Sequence, residues 1–394
     1  MRLSNNNVDI FCRVIDNYGD AGFSYRLAHA FKHQSQKSRQ VRLFIDEINT
    51  LAKILPEMDP SRASQMINGV EIIYFFDREH KNAKRLPYAP LIIESLASSI
   101  PEIAKKEIFS YAEIVLNVEH LTAETAFESM HGLSMPGYPV PRYLIAQGFS
   151  KNSAGILIEE IITQTIAQAS KTKLKLRNEL FLPYKKLLPY EPEKIMLGSL
   201  FSYSHDFSEL LKDLQTLNKP CILFVLGDPS QKSVKEALEI EDIHWLSDNI
   251  AKQGSVYFIF EDLIAVTSYD RLLMITDFNM VRGEDSLARA ILAGKPFIWH
   301  SYDQDDNYQL VKVQAFLDIL NQYQNNPVLF KHYTALLLAY NQRPPYLEND
   351  KPQENYCQFF NSFATIQPWI NNLRQFLIAR GGLITEIERF IEKL

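Results

Sequence analysis

Cysteine is scarce in this chain, positive charge is not in excess, and no hydrophobic run is long. Three cysteines in 394 residues, Cys12, Cys221 and Cys357, are widely separated. That excludes a disulfide framework and a cysteine zinc site. Cys12 and Cys221 sit in apolar strand-like runs, where a thiol serves as a small buried hydrophobe. The nine histidines show no metal-ligand spacing. No segment approaches the roughly 18 to 20 apolar residues needed to cross a bilayer. The apolar run VDIFCRVI (8–15) is too short for a secretory signal and is broken by Asp9 and Arg13. Lysine and arginine number 41 against 47 aspartates and glutamates, a net charge of −6, so no global field recruits nucleic acid or an anionic membrane. The short basic clusters HKNAKR (80–85) and KTKLKLR (171–177) read as solvated faces. Walker loops, G-x-G-x-x-G and G-x-S-x-G motifs are all missing. These absences predict a cytoplasmic protein with no membrane or nucleic-acid partner.

What is present is globular: 46% hydrophobic and 22% charged residues, in a length that suits two domains. Short apolar runs alternate with amphipathic ones. Strands are predicted at 8–15, 40–46, 70–76, 89–95 and 112–119, with helices at 23–34 and 47–55. Residues 125–150 are rich in Gly, Pro, Ser and Met and read as loops, followed by a helix at 156–170. The prolines of LPYKKLLPYEPEK (182–194) mark a linker. The alternation then restarts, with strands at 195–201, 220–227, 255–261 and 277–283, a further strand after Lys295-Pro296, and helices at 206–217, 269–276, 286–294 and 384–394. Continuous hydrophobic strands between helices imply mostly parallel sheets covered on both faces. The expected fold is α/β with two Rossmann-like domains facing across a cleft, and ligands at the carboxyl ends of the strands. Trp245, Trp299 and Trp369 are expected in the core.

Two strand-to-helix turns carry the chemistry. In VIDNYGDAGFSYRLAHAF (14–31), Asp16 and Asp20 lie around Asn17, Tyr18 and Gly19. A helix N-terminus favours anions, but one already supplied with two carboxylates repels a phosphate. Aspartate is also a common N-cap, so capping for one aspartate and function for the other are both open on the residues alone. In MVRGEDSLARAILAGKPFIWH (280–300), Arg282 and Gly283 end a strand, and Glu284, Asp285 and Ser286 open a helix with good capping residues. Its backbone N–H groups and Arg282 suit a pyrophosphate.

These stretches, with NVEHLTAE, GFSKNSAG and YDQDDN, resemble the EarP family of protein-arginine rhamnosyltransferases, which modify elongation factor P, and the likeness runs over nearly the whole chain. It implies a GT-B fold and inverting transfer of rhamnose from dTDP-β-L-rhamnose to an arginine side chain, without metal or other cofactor. It also implies activation of the factor for ribosomes stalled at polyproline. By the same resemblance residues 1–182 form the acceptor-binding domain and 183–370 the nucleotide-sugar domain, with helix 371–394 returning to the first. The general base falls on Asp20 with Asp16 as companion, and a catalytic glutamate on Glu284. Donor contacts fall on Asn17, Tyr18, Gly19, Phe201, Tyr203, Arg282, Gly283, Glu284, Asp285 and Ser286.

The chain departs from the family at Leu263 and Val266, where an aromatic and a glutamine face the base, and at Asp303, which replaces a proline. An arginine acceptor explains the carboxylates: guanidinium has a pKa above about 12 and is a poor nucleophile. A carboxylate pair holds its plane and takes a proton as the new bond forms, so the first turn is expected to hold the acceptor. Asp303-Gln304-Asp305 imitates a metal-binding D-x-D, a frequent chance match, and His300 reads as a structural or donor-side group. A different nucleotide-sugar transferase or an epimerase of the same fold is the competing reading.

Overall fold

The computed structural model describes residues 3–15, 17–34, 38–75, 87–188, 191, 193–217, 219–238, 243–344 and 352–394. The chain divides into two compact units, residues 1–161 with 377–394, and residues 162–376.

The first unit is built on β1 (Val8–Cys12), α1 (Asn17–Gln34), β2 (Val41–Ile45), α2 (Ile48–Ile54), β3 (Ser64–Ile67), β4 (Val70–Tyr74), β5 (Leu91–Ser95), α3 (Glu102–Ile108), β6 (Ile114–Val118), α4 (Thr125–Glu128) and β7 (Arg142–Ile145). Its seven strands run in the order β3-β4-β2-β1-β5-β6-β7, and every pairing is parallel except β3 with β4. Strands β1, β2, β5 and β6 are buried along their whole length, as strands covered on both faces must be. Asp9 interrupts the apolar run without breaking the strand. Its cross-strand neighbour is Arg42, which donates to both carboxylate oxygens at 2.6 Å while Ala89 N–H donates at 2.8 Å. A buried charge is tolerable when so fully matched.

The chain passes between the units inside α5 (Glu160–Phe181). The second unit follows with β8 (Met196–Leu200), α6 (Ser208–Gln215), β9 (Cys221–Leu226), α7 (Asp228–Leu238), β10 (His244–Ser247), β11 (Ile250–Gln253), β12 (Val256–Glu261), α8 (Val266–Ile275), β13 (Phe278–Arg282), α9 (Gly283–Ala293) and β14 (Phe297–His300). Helices α10 (Gln309–Leu320), α11 (Pro327–Asn341), α12 (Tyr356–Phe360) and α13 (Phe363–Arg380) come next. This sheet runs β10-β11-β12-β9-β8-β13-β14, parallel apart from the antiparallel edge of β10, β11 and β12. After α13 the chain rejoins the first unit, where α14 (Leu383–Lys393) packs on α1 and Glu388 pairs with Arg39. The α/β fold with two Rossmann-like halves is the one expected, and it is GT-B-like.

Local expectations fared unevenly. Residues 125–150 are not all loop: they hold α4 and β7, a four-residue edge strand whose first half is only partly buried. The edge strands β3, β10 and β11, four residues each, give too short a period to register. Trp299 and Trp369 are buried, but Trp245 is not. It lies on edge strand β10 with 49% of its surface exposed, its ring stacked on Phe260 at 5.6 Å. Cys12 and Cys221 are fully enclosed, and burial pushes both thiols well above their ordinary range. Among the described residues no helix is long and apolar enough to cross a membrane.

Candidate active site

The first turn lies between β1 and α1. The helix begins at Asn17, not at residue 23, so Tyr18, Gly19 and Asp20 belong to its first turn rather than to a loop. Asp20 is therefore no N-cap. Its carboxylate reaches back and accepts the Ile15 N–H at 2.8 Å, and the side chain is buried. The two preceding amides are held as well. Val14 N–H donates to Asp46 Oδ1 at 2.9 Å, and Arg13 N–H donates to Ser98 Oγ at 2.8 Å. Burial holds the Asp46 carboxyl above the usual aspartate range despite that bond. Tyr18 receives a bond from Lys53 Nζ at 3.4 Å. Asp16 lies outside the described residues, and so does the Asn17 side chain.

The second turn joins β13 to α9. Arg282 is extended (φ −124°, ψ 157°), Gly283 takes φ +60°, and the helix follows immediately. Only glycine enters that left-handed region at little cost. The expected capping by Ser or Asp is not what forms: Arg282 occupies the N-cap position and no side chain caps the helix. Its first amides therefore stay available to an anion.

Arg282 is the centre of the arrangement. Its guanidinium carbon lies 4.3 Å from the Phe201 ring centroid and 4.8 Å from that of Tyr203, and Nη1 donates to Ser202 O at 3.3 Å. Stacking of this kind fixes a guanidinium plane without neutralising its charge. Ser202, between the two aromatics, is the hub that sequence reasoning passed over. Its N–H donates to Ser230 Oγ at 2.7 Å, and its hydroxyl lies 2.6 Å from His300 Nδ1 and 2.8 Å from Tyr340 Oη. Arg343 can only donate, so the His300 Nε2 that it meets is the acceptor and Nδ1 carries the hydrogen. Burial, with Arg343, His205 and Arg282 around it, holds His300 well below its ordinary range and hence neutral. It is a structural strut. Asp303 pairs with Arg343 at 2.9 Å, and among the described residues no group of three or more His, Cys, Asp or Glu is placed to hold a metal ion.

Around the helix start, Glu284 pairs with Lys312 at 3.3 Å, and Ser286 is buried. Asp285 and Asp270 flank the buried Arg289 at 3.9 and 3.7 Å. A side wall is apolar. A Cβ on Gly227 would stand 3.2 Å from the Phe201 ring and 3.6 Å from a Leu263 methyl, the Tyr269 ring meets Phe201 edge-on at 5.8 Å, and Val266 is buried at the start of α8.

Comparison with known proteins decides the lineage. The family model described as Elongation-Factor P (EF-P) rhamnosyltransferase EarP matches residues 8–392. The chain belongs to the EarP family. Protein-arginine rhamnosyltransferases of similar sequence include one from Shewanella oneidensis, 32% identical over 78% of this chain and 79% of its own length. Another, from Pseudomonas aeruginosa, is 31% identical over 79% and 81% respectively. A solved structure described as "Structural basis for EarP-mediated arginine glycosylation of translation elongation factor EF-P" aligns over 98% of this chain and 99% of its own, with TM-score 0.61 and 21% identity. That likeness shows the fold. As an EarP-family member the chain is a glycosyltransferase.

Phe201, Tyr203 and Arg282 are brought into direct contact, and Gly283, Glu284, Asp285 and Ser286 follow on one helical turn. Asp20, Tyr18 and Gly19 share the opening turn of α1 in the other unit. Asp46, Ser98, Ser202, Lys312 and Arg343 were missed. For Ser202 a signal existed, since it separates two singled-out aromatics. The others come from distant segments.

Proposed function

We propose that this chain transfers rhamnose, with inversion, from dTDP-β-L-rhamnose to an arginine side chain of elongation factor P. The observation that carries the reading is the contrast between two strand-end sites, a buried carboxylate at one and a stacked, cationic, uncapped helix start at the other. The nitrogen of the acceptor guanidinium forms a bond to the sugar C1 as the bond from C1 to the diphosphate oxygen breaks. The Asp20 carboxylate takes the proton lost by that nitrogen, with Asp16 as companion holding the guanidinium plane. The dTDP leaving group gathers negative charge, which Arg282 and the N-terminal amides of α9, with Ser286, stabilise. Glu284 steadies the cationic charge that glycosyl transfer develops. Leu263, Val266, Phe201 and Tyr269 supply an apolar wall for the base in place of the family's stacking aromatic. The residues named need no metal, and the reaction belongs in the cytoplasm, where the factor is activated for ribosomes stalled at polyproline.

Mass spectrometry of elongation factor P incubated with enzyme and dTDP-rhamnose tests the reading, with and without EDTA. The expected product gains one deoxyhexose on arginine, is unaffected by EDTA, and is absent when the target arginine is lysine. Lysine keeps the charge but cannot make a planar two-point contact. An unmodified factor, or a modified lysine, overturns the reading.

A further inference from the structure

The loop that follows β1 is fastened by three side chains from three different elements. Three consecutive amides, Arg13, Val14 and Ile15, donate to Ser98 Oγ, Asp46 Oδ1 and Asp20 Oδ2 at 2.8, 2.9 and 2.8 Å. Asp46 follows β2 and Ser98 follows β5, the two strands that flank β1 in the sheet. Strand-end loops ordinarily leave such amides to water. Here every one is taken by a side chain.

The fastening at Ser98 is bought with strain. Leu96 and Ala97, the two residues before it, take φ +52° and +58°, a left-handed conformation uncommon for residues other than glycine, Asn and Asp. Ala97 N–H bonds Val118 O at 3.1 Å and Ser98 N–H bonds Ser95 O at 3.1 Å, so the strained turn is locked from both sides. Strain that the surroundings over-determine tends to collect where geometry serves function. What this turn does on the page is deliver one hydroxyl to the Arg13 amide.

We infer that Ser98 and Asp46 are positioning residues: they fix the β1–α1 loop from both neighbouring strands and so set where the Asp20 carboxylate stands against the acceptor nitrogen. This rests on the reading of Asp20 as the base. A loop free to shift by about an ångström would lose in-line geometry, and misplacement of that size costs on the order of 100-fold in rate. The mechanism requires an acceptor oxygen at each position, not a charge.

The test compares Ser98→Ala, Asp46→Ala and Asp46→Asn in the full-length enzyme, with kcat normalised to the fraction that binds dTDP by calorimetry. The alanine variants should lose about 10- to 100-fold in kcat while dTDP affinity stays within about twofold, because the residues proposed to hold the nucleotide are elsewhere. Asp46→Asn, which keeps the oxygen and drops the charge, should recover to within a few-fold of the native rate. A purely structural role would lower thermal stability and leave normalised kcat unchanged, and that result overturns the inference. So does an Asp46→Asn variant as slow as Asp46→Ala. An active Asp20→Asn enzyme would instead refute the base assignment, which keeps the two failures distinct.

Discussion

The two strand-to-helix turns solve the same geometric problem by opposite means. At β1–α1 the turn carries a carboxylate that folds back on its own loop, and side chains from neighbouring strands hold the loop amides. At β13–α9 there is no loop to hold. A single glycine with φ +60° turns the strand into the helix, the helix amides stay uncapped, and the fixed charge is a guanidinium stacked on two rings. The first arrangement suits a cation and proton removal; the second suits an anion that departs. Both are pre-organised, but one by hydrogen bonds to backbone and the other by aromatic packing over a buried polar network.

The largest expected effect breaks the first half. Asp20→Asn should lower kcat by about 10²- to 10⁴-fold, the range general-base catalysis contributes. The amide oxygen can still accept the Ile15 N–H, so folding and dTDP binding should be native by calorimetry and circular dichroism. Native turnover would remove the acidic side of the comparison. Next in size, Arg282→Ala should weaken dTDP binding by about 10- to 100-fold, as loss of charged hydrogen bonds typically does. Arg282→Lys should recover only part of it, because a point charge cannot stack on Phe201 and Tyr203. Equal affinity for all three proteins in a dTDP titration would move the nucleotide away from this turn.

Much of this was readable in the chain. Continuous buried runs such as CILFVL (β9) announced parallel strands, and the glycine at 283 beside an arginine announced the anion turn. Asp20 was identifiable as a residue worth explaining, but its place inside the helix was not, because the two glycines around it imitate a turn. Asp46 and Ser98 were invisible for a plainer reason. Their partners are 32 and 85 residues away in sequence, and no local period encodes a hydrogen bond across strands. The edge hairpin with Trp245 escaped because four-residue strands with mixed exposure look like loops. Ser202 shows the middle case, where the neighbours were legible and the hub was not.

A pH experiment sharpens the second half. His300 is neutral in the folded protein, faced by Arg343, His205 and Arg282, with its ring fully buried. The unfolded chain takes up that proton near pH 6.5, whereas the folded protein resists it to much lower pH. The unfolded state therefore binds more protons below pH 6.5, and stability falls as pH falls, by about 1.4 kcal/mol per unit for this one group. His29, held at about 4 by burial and His33, adds to the slope over the same window. Denaturant melts at pH 7.5, 6.5 and 5.5 should show the loss, and His300→Gln should flatten it by about one proton. An unchanged slope in the variant would mean the strut titrates freely.

The smallest effect concerns the backbone itself and sets the two turns directly against each other. Gly283→Ala forces a side chain into φ +60°, which costs about 1 to 2 kcal/mol, and the carbonyl of residue 283 is also tied to the Trp299 indole N–H at 3.0 Å. The turn cannot relax without breaking that bond, so the cost should appear in full as lost stability in denaturant melts. Ala97→Gly is the mirror experiment at the other end of the protein. It releases the strain at φ +58° in the folded state, but a glycine also gains freedom in the unfolded chain, worth about 0.4 to 1 kcal/mol in the opposite direction. The two terms nearly cancel, and the net change should lie within about 0.5 kcal/mol of zero. Activity then separates the sites. If strain at Ala97 only shapes a turn that Ser95, Val118 and Ser98 already lock, relieving it should leave kcat native. A large drop in kcat at unchanged stability would show instead that alanine's own stiffness, and not the hydrogen bonds, holds the loop beneath Asp20.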